Sequence, residues 1–219
     1  MQRTGKAKAS PQTSKTGKIK KAGNRGIGRP TNAAVRTREH LTEKEVNALI
    51  KAAKKTGRHQ HRDATLITLM YHHGLRVSEA ISLCWDQINF ERGLIYVTRL
   101  KNGTPSSHFM INTSDRGNEM RSLRRLKREQ QTSPYVFTTE RGGPMTASTV
   151  RKMITRAGKI ADLPFPIHPH MLRHACGYRL ANDGHDTRSL QHYLGHRNIQ
   201  HTVHYTEMSP DRFKGFWND

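Results

Sequence analysis

Apolar residues recur at helical spacing along most of the chain from residue 41 onward. Thr42 and Glu45, at the start of this region, have the spacing of a capping box. Val46, Leu49 and Ala53 then follow on one face of a first helix. The same period, bounded by caps and glycines, predicts further helices over 63–71, 79–84, 147–160, 169–182, 187–194 and 199–205.

A short part of the chain has the pattern of strands instead. Phe90, the segment 94–100 and the segment around 108–111 predict three antiparallel strands in a meander. Asn102-Gly103 is the strongest hairpin signal in the chain, because both residue types tolerate the positive φ of a tight turn. The predicted fold class is therefore α+β, mainly α-helical, with one small three-stranded antiparallel sheet.

The first 38 residues show neither the helical nor the strand pattern of apolar residues. They contain eleven Lys or Arg residues and no Asp or Glu, so they cannot bury enough apolar surface to fold alone. We predict that residues 1–38 form a disordered basic arm and that residues 39–219 form the folded domain. The side chains of the arm that we expect to contact DNA phosphates are Arg3, Lys6, Lys8, Lys15, Lys18, Lys20, Lys21, Arg25, Arg29, Arg36 and Arg38.

The balance of charge narrows the class of partner. A formal charge of +21 exceeds what solubility requires and indicates a polyanion, in the first place nucleic acid, with a membrane surface as the lesser alternative. No apolar run approaches the ~20 residues that span a bilayer, and the N-terminus lacks the apolar core of a secretory signal. Cys84 and Cys176 are isolated, so neither a disulfide framework nor a CxxC metal site is expected. We therefore expect a soluble, intracellular protein in a reducing compartment.

The densest candidate chemistry lies in the segment HPHMLRH, at 168–174. On a helix, His170, Arg173 and His174 would project from nearly the same face. The His-x-x-x-His spacing suits zinc, but Met171 stands where a metalloprotease carries its glutamate, and an arginine would repel the dication. No metal site is therefore predicted. An arginine beside neutral imidazoles suits a phosphate, which the guanidinium fork can bind through two oxygens.

A candidate nucleophile lies further along the chain. Leu194-Gly195-His196 ends one predicted helix, and Tyr205 follows His196 by nine residues. A tyrosine hydroxyl attacks phosphorus only where a base or neighbouring cations make its phenoxide accessible. The arginine and histidine residues of 170–174 could supply both.

Four segments of the chain resemble the sequence boxes of the tyrosine recombinases, the phage integrase family. The segment GLRVSE, at 74–79, resembles the first arginine box, and HMLRH, at 170–174, resembles the His-x-x-Arg box. Leu194-Gly195-His196 resembles the third box and Tyr205 the nucleophile, in the order and at the spacing of the family. The phrases HPHMLRH, LGHRNI and HTV-x-YT are most similar to those of the small recombinases that invert the promoter switch of bacterial fimbriae.

The resemblance implies a catalytic domain over 39–219 and a mechanism without cofactor, metal or ATP. Tyr205 would attack a DNA phosphate to give a 3′-phosphotyrosine and a free 5′-hydroxyl. Arg76 and Arg173 would clamp the non-bridging oxygens, His170 would act as base toward Tyr205, and His196 would hydrogen-bond a phosphate oxygen.

One role is contested within the sequence. Lys101 occupies the place of the family lysine that protonates the departing 5′-oxygen, but Arg99 lies two residues away and competes for this assignment. Glu79, three residues after Arg76, is expected to support the arginines rather than to react.

The resemblance also implies partners. These are double-stranded DNA with paired recombination sites, a homotetramer on that DNA, and accessory DNA-bending proteins. The reaction would be site-specific recombination, either inversion, as in a phase-variation switch, or integration and excision. Family members commonly carry a helical domain before the catalytic domain, and the basic arm is expected to replace it electrostatically. Two other functions stay open: a DNA-binding transcriptional regulator without strand exchange, and a type IB-like DNA-relaxing enzyme.

Overall fold

The structure is a computed structural model of the chain, and it describes residues 38–100, 103–113, 117–130 and 132–207. The predicted arm up to residue 37, Lys101 and the segment from 208 onward lie outside the described residues. The α-helices in the described part are α1 (Glu43–Ala53), α2 (Gln60–His72), α3 (Val77–Ile81), α4 (Glu119–Glu129), α5 (Ala147–Ile160), α6 (Pro169–Asn182), α7 (Thr187–Leu194) and α8 (Gln200–Glu207). The strands are β1 (Ile88–Asn89), β2 (Leu94–Val97), β3 (Ser106–Phe109), β4 (Asn112–Thr113) and β5 (Gly117–Asn118).

The first helix begins as its sequence predicts. The Glu45 backbone N–H donates to Thr42 Oγ1 at 3.4 Å, and the Thr42 N–H donates to Glu45 Oε2 at 2.7 Å. This reciprocal pair satisfies two donors that a helix start leaves open. Val46 and Leu49 on the apolar face are fully buried, and they pack α1 against α2 and α5.

A single apolar core joins the helices that carry the four boxes. Leu66, Ile67 and Leu69 of α2 and Leu172 of α6 have no exposed surface, and α6 also packs on α7 and α8. Packing α2 against α6 brings the turn after α2 close to the middle of α6. The segments that resemble the boxes thus converge at one end of this packed group.

The small sheet confirms the predicted fold class. Its order is β1-β2-β3, all antiparallel, with Val97 opposite Ser106. Strand β2 therefore ends before the predicted residue 100, and Arg99 beyond it turns its side chain into the protein and bonds Glu79. Asn102 of the predicted hairpin turn lies outside the described residues.

Helix α3 differs from the prediction at both ends. The sequence predicts Ser78 as a cap before 79–84, whereas α3 starts at Val77 and ends at Ile81. The Arg76 N–H donates to Glu79 Oε2 at 2.9 Å, so the helix is capped from within its own first turn. The helices predicted at 147–160, 169–182 and 187–194 are confirmed at both ends. No helix in the described part of the chain is long and apolar enough to cross a bilayer.

Candidate active site

A glycine turn between α2 and α3 positions the first arginine box. Gly74 has φ +56°, a left-handed conformation that favours glycine, and a β-carbon there would lie 2.5 Å from Leu194 Cδ2. The Gly74 carbonyl accepts hydrogen bonds from both Arg173 and Arg99. The turn therefore sits directly against α6 and the end of α7, as a bulkier residue could not.

One buried carboxylate serves three arginines. Glu79 Oε1 accepts from Arg76 Nη1 at 2.7 Å and Oε2 accepts from Arg99 Nη1 at 3.0 Å, while Arg173 Nη1 lies 3.9 Å from Oε2. Burial alone would raise the pKa of the Glu79 carboxyl, but the Arg76 N–H and the guanidinium groups outweigh it and hold that pKa below its ordinary value. The carboxylate is therefore charged and fixes the arginines relative to one another.

The two predicted clamp residues differ in exposure. Arg173 is 1% exposed, and its Nη2 donates to the Leu194 carbonyl at 2.6 Å. Burial, with Arg76 and Arg99 as further causes, lowers the pKa of Arg173 to about 10, so it remains a cation at neutral pH. The Arg76 side chain is 26% exposed and reaches the surface.

A cleft of about 690 Å³ opens beside these residues. Among its lining residues in the described part of the chain there is no carboxylate, which leaves the cleft cationic. Such a cleft attracts and holds an anion of phosphodiester type. Its lining includes Arg76, Gly103, Arg188, Gln191, Gly195, His196, Arg197 and His201.

His196 lies between this cleft and α8. Its Nδ1 shares a 2.8 Å hydrogen bond with Thr202 Oγ1. Burial, followed by the nearby Arg173 and Arg76, lowers the pKa of His196 to about 3. The imidazole is therefore neutral at physiological pH.

Tyr205 lies in a pocket on α6, here called the tyrosine pocket and formed by His174, Gly177 and Tyr178. Its hydroxyl shares a 2.9 Å hydrogen bond with His174 Nδ1, and the residue is 1% exposed. A β-carbon at Gly177 would lie 2.7 Å from Tyr205 Cζ, so only glycine leaves room for the ring. Burial raises the pKa of Tyr205 although Arg173 opposes this, and the phenol is therefore protonated.

The histidines of the HPHMLRH segment form a short series leading from Tyr205. Burial and then His170 lower the pKa of His174 to about 3, so its ring is neutral. The exposed His170 ring lies edge-on to that of His174, with centroids 4.4 Å apart. Sequence reasoning placed His174 near the site without a role, although its position four residues after His170 was the signal for this contact.

The contested Arg99 is buried. Its side chain has no exposed surface, and its guanidinium donates to Glu79 and to the carbonyls of His73 and Tyr193. It therefore ties the arginine box to the end of α2 and to α7. Lys101 lies outside the described residues, but Gly103, two positions on, lines the cleft. Of the predicted arm residues Arg38 alone lies in the described part, where it pairs with Glu45.

Sequence reasoning gave no role to a second buried cluster behind the arginine box. His73 Nε2 lies 3.2 Å from Glu119 Oε2, and its Nδ1 lies 3.1 Å from His108 Nδ1, while His72 Nδ1 contacts Glu119 Oε1 at 2.6 Å. Burial would raise the pKa of Glu119, but His73 and His72 outweigh it and lower that pKa to about 2. This cluster ties β3 and the start of α4 to the end of α2, next to Gly74.

Comparison with known proteins agrees with this geometry. The sequence profile of the phage integrase family matches residues 39–212. The chain is 40% identical over 186 residues to the type 1 fimbriae regulatory protein FimB of Escherichia coli K12, covering 83% of this chain and 90% of FimB. It is equally identical to FimE of the same strain, covering 82% of this chain and 91% of FimE.

More distant proteins share the domain. The chain is 34% identical to the tyrosine recombinase XerD of Ralstonia nicotianae, over 80% of this chain and 57% of XerD. A crystal structure of XerA recombinase has the same fold, with a TM-score of 0.69 and 23% identity over 82% of this chain and 65% of that one. A lambda integrase dimer bound to a core site has a TM-score of 0.64 at 23% identity, over 85% of this chain and 53% of the integrase. With its profile, relatives and fold in agreement, the chain belongs to the phage integrase family, the tyrosine recombinases.

Proposed function

We propose that the protein cuts and rejoins double-stranded DNA at paired specific sites through a 3′-phosphotyrosine on Tyr205, and that its natural reaction inverts a DNA segment. The observation that carries this is that Arg76 and the neutral His196 line one cationic cleft, and that the other two groups lie next to them. Arg173 shares the Glu79 carboxylate with Arg76, and the Tyr205 ring is stacked on that of His196 with centroids 6.4 Å apart. FimB and FimE, which are named type 1 fimbriae regulatory proteins, match over nine-tenths of their length. Together with the phrases that resemble those of recombinases inverting fimbrial promoters, they favour inversion, as in a phase-variation switch, over integration and excision.

The clamp acts on the phosphate that enters the cleft. Arg76 and Arg173 bind its non-bridging oxygens, and His196 donates to one of them. These donors are fixed by Glu79 and by backbone carbonyls before the charge on the phosphorus builds, which is the arrangement that stabilises a transition state most effectively. The Tyr205 oxygen forms its bond to phosphorus as the bond to the 5′-oxygen breaks. Lys101 then gives a proton to the departing oxygen.

The phenol proton leaves through the histidine series. Tyr205 begins bonded to His174, and His170 lies edge-on to His174 on the exposed side. We assign the final acceptance of the proton to His170, because an exposed imidazole can exchange it with water. Arg173 opposes the rise in the pKa of Tyr205 and so favours the phenoxide as it forms. The phosphotyrosine conserves the energy of the broken bond, so a free 5′-hydroxyl can reverse the reaction.

We propose that four copies assemble on two DNA sites, with DNA-bending proteins as accessory factors, on the bacterial nucleoid in the cytoplasm. The net charge of +21 supports a DNA partner, as do relatives whose structures are described with DNA, such as XerH recombinase on its difH site.

We propose that the basic arm clamps DNA through its positive charge. The logarithm of DNA affinity falls linearly with the logarithm of the salt concentration. If the arm neutralises about eight phosphates, deleting residues 1–38 should make this slope shallower by roughly 7. Measuring both slopes on one duplex tests this, and equal slopes would remove the arm from binding.

The decisive experiment traps covalent protein–DNA adducts in a bacterial host that carries the DNA flanking the gene. Wild type, Tyr205→Phe and Tyr96→Phe are compared, the last because Tyr96 lies exposed on β2, away from the cleft. We expect adducts from wild type and Y96F but not Y205F, with the attached DNA mapping to paired short repeats.

The other outcomes separate the alternatives. Adducts spread over DNA without paired sites, together with relaxation of supercoils, would indicate a type IB-like relaxing enzyme. Site-specific binding without adducts from any of the three proteins would indicate a transcriptional regulator. Equal adducts from Y205F would remove Tyr205 from the mechanism.

A further inference from the structure

The buried side of His196 is held by a residue outside the four boxes. Thr202 lies on α8 and has no exposed surface, and its Oγ1 lies 2.8 Å from His196 Nδ1. At a pKa of about 3, His196 is neutral and carries a single ring hydrogen, on either Nδ1 or Nε2. Which nitrogen carries it decides whether the ring can donate to a phosphate.

The hydroxyl hydrogen decides between the two forms. Among the described residues, the hydrogen-bond partner of the Thr202 hydroxyl is His196 Nδ1. If Nδ1 carried the ring hydrogen and donated it to Oγ1, the hydroxyl hydrogen would be a buried donor without an acceptor, an arrangement that proteins avoid. The hydroxyl therefore donates to Nδ1, and the ring hydrogen lies on Nε2.

The backbone of His196 is fixed separately. Gln191 Nε2 donates to the carbonyls of His196 and Arg197 at 3.0 and 3.2 Å, and the His196 N–H donates to the Gln191 carbonyl at 3.0 Å. These bonds hold the main chain of His196 but not its ring. The contact with Thr202 therefore controls the rotation and the tautomer of the ring. Thr202 also precedes Tyr205 by three residues on α8, so it lies on the nucleophile's face of that helix.

We propose that Thr202 is a positioning residue that holds His196 as its Nε2–H tautomer, so that a neutral imidazole donates to the phosphate, and that ties this donor to the helix of the nucleophile. The inference rests on the phosphate-binding role proposed for His196. Without the hydroxyl, the ring divides its population between tautomers and rotations, and only part of it can donate.

The first test reads the tautomer directly. Nitrogen-15 NMR of the full chain with labelled histidine distinguishes Nδ1–H from Nε2–H, and is recorded for wild type, Thr202→Ser and Thr202→Val. Valine keeps the shape of threonine without its hydroxyl. We expect Nε2–H at His196 in wild type and T202S and a mixture in T202V. A wild-type ring with its hydrogen on Nδ1, or a T202V spectrum equal to wild type, would overturn the proposal.

The second test asks whether the effect passes through His196. Single-turnover cleavage of a suicide DNA substrate is measured for T202V, H196A and the double variant, with T202S as the conservative rescue. We expect T202V to cleave about tenfold more slowly, the cost of roughly one hydrogen bond, with DNA affinity unchanged and T202S near wild type. T202V should add nothing in the H196A background.

The two failures can be told apart. If T202V slows H196A as much as it slows wild type, Thr202 acts through the packing of α8 and the present inference is wrong. If H196A cleaves as fast as wild type, the proposed role of His196 toward the phosphate is wrong, whichever tautomer NMR finds.

Discussion

The proposed phosphate-binding half of the site, the arginines around Glu79, differs from the proposed nucleophile half, the tyrosine pocket, in how its polar groups are held. In the first half, Arg76 and Arg173 are fixed by the Glu79 carboxylate and by backbone carbonyls. In the second, the hydrogen bond of Tyr205 is to one neutral imidazole, and aromatic contacts hold the rest of the ring. The cations are therefore held by a charged group, whereas the hydrogen bond described for Tyr205 is to a neutral one.

The difference follows from what each group costs to move. Displacing a buried guanidinium would leave a carboxylate and several carbonyls unsatisfied, which costs far more than displacing a neutral phenol. Fixed donors also need no reorganisation when charge develops on the substrate. The timing of DNA cleavage can thus be controlled through the position of the tyrosine, while the clamp arginines stay in place.

The largest effect is expected from Arg173→Lys. Lysine keeps the charge but has no fork, so it cannot serve the Gly74 and Leu194 carbonyls and a phosphate together. We expect single-turnover cleavage to fall roughly 10²- to 10³-fold, the usual cost of one lost transition-state donor. Arg151→Lys, at an exposed position on α5, is the control. Normal cleavage by R173K would show that the clamp does not need its buried member.

Glu79→Gln removes the carboxylate that holds the clamp arginines in place. Removing the carboxylate leaves three arginines without their shared counter-ion, and we expect the free energy of unfolding to fall by about 3–5 kcal/mol. Because the folded pKa of Glu79 lies below 4.5, its contribution is present above that pH and is lost as the pH falls toward the folded value.

Urea denaturation at pH 7 and in mild acid measures both effects of this change. The difference between wild type and E79Q should shrink in acid, and Glu140→Gln, at an exposed ion pair, should leave stability unchanged. A difference that grows in acid would contradict the proposed sign.

Gly177→Ala tests the nucleophile half. The added β-carbon would approach the Tyr205 ring to 2.7 Å, so the ring must shift, and we expect a loss of about 1–3 kcal/mol of stability. Displacement should also bring the pKa of Tyr205 down toward its ordinary value, which ultraviolet difference titration can follow. Gly143→Ala, where nothing lies within 4 Å, is the control. An unchanged titration would mean that the environment of the Tyr205 ring is preserved and that α6 and α8 move apart instead.

The smallest effect at neutral pH comes from the buried histidines, and it grows in acid. Burial is the largest cause that lowers the pKa from 6.5 to about 3 for His174 and His196, and to about 2 for His108. Below pH 6.5 these histidines are therefore protonated in the unfolded chain but remain neutral in the folded one. The free energy of unfolding falls as the pH drops toward 3. Denaturation of His174→Gln should show a shallower fall over this range, with the exposed His192→Gln parallel to wild type. An identical slope for H174Q would mean that His174 does not contribute.

Local signals in the sequence sufficed for most of the fold. The ends of α5, α6 and α7 were predicted to the residue because each has its own cap or glycine, such as Asp186 and Gly195 around α7. The four boxes likewise carried the candidate site, because residue type and spacing are properties of the chain itself.

Contacts between distant segments could not be predicted in this way. The guanidinium of Arg99 meets Glu79, twenty residues back, and the carbonyl of Tyr193, far ahead in the chain. His73 finds Glu119 and His108 only once the sheet and α4 have docked. The contact of Thr202 with His196 similarly depends on how α8 returns against α7.

The three arginines around Glu79 also set a charge balance for the reaction. Three guanidinium groups and one carboxylate leave this cluster with a net charge of +2. A phosphodiester brings one negative charge to it, and the phosphoryl group with the attacking phenoxide brings about two in the proposed transition state, so the cluster approaches neutrality only as the bond is exchanged. Without the charge of Arg99 the cluster would already be neutralised by its substrate. The third arginine thus makes the site complementary to the transition state instead.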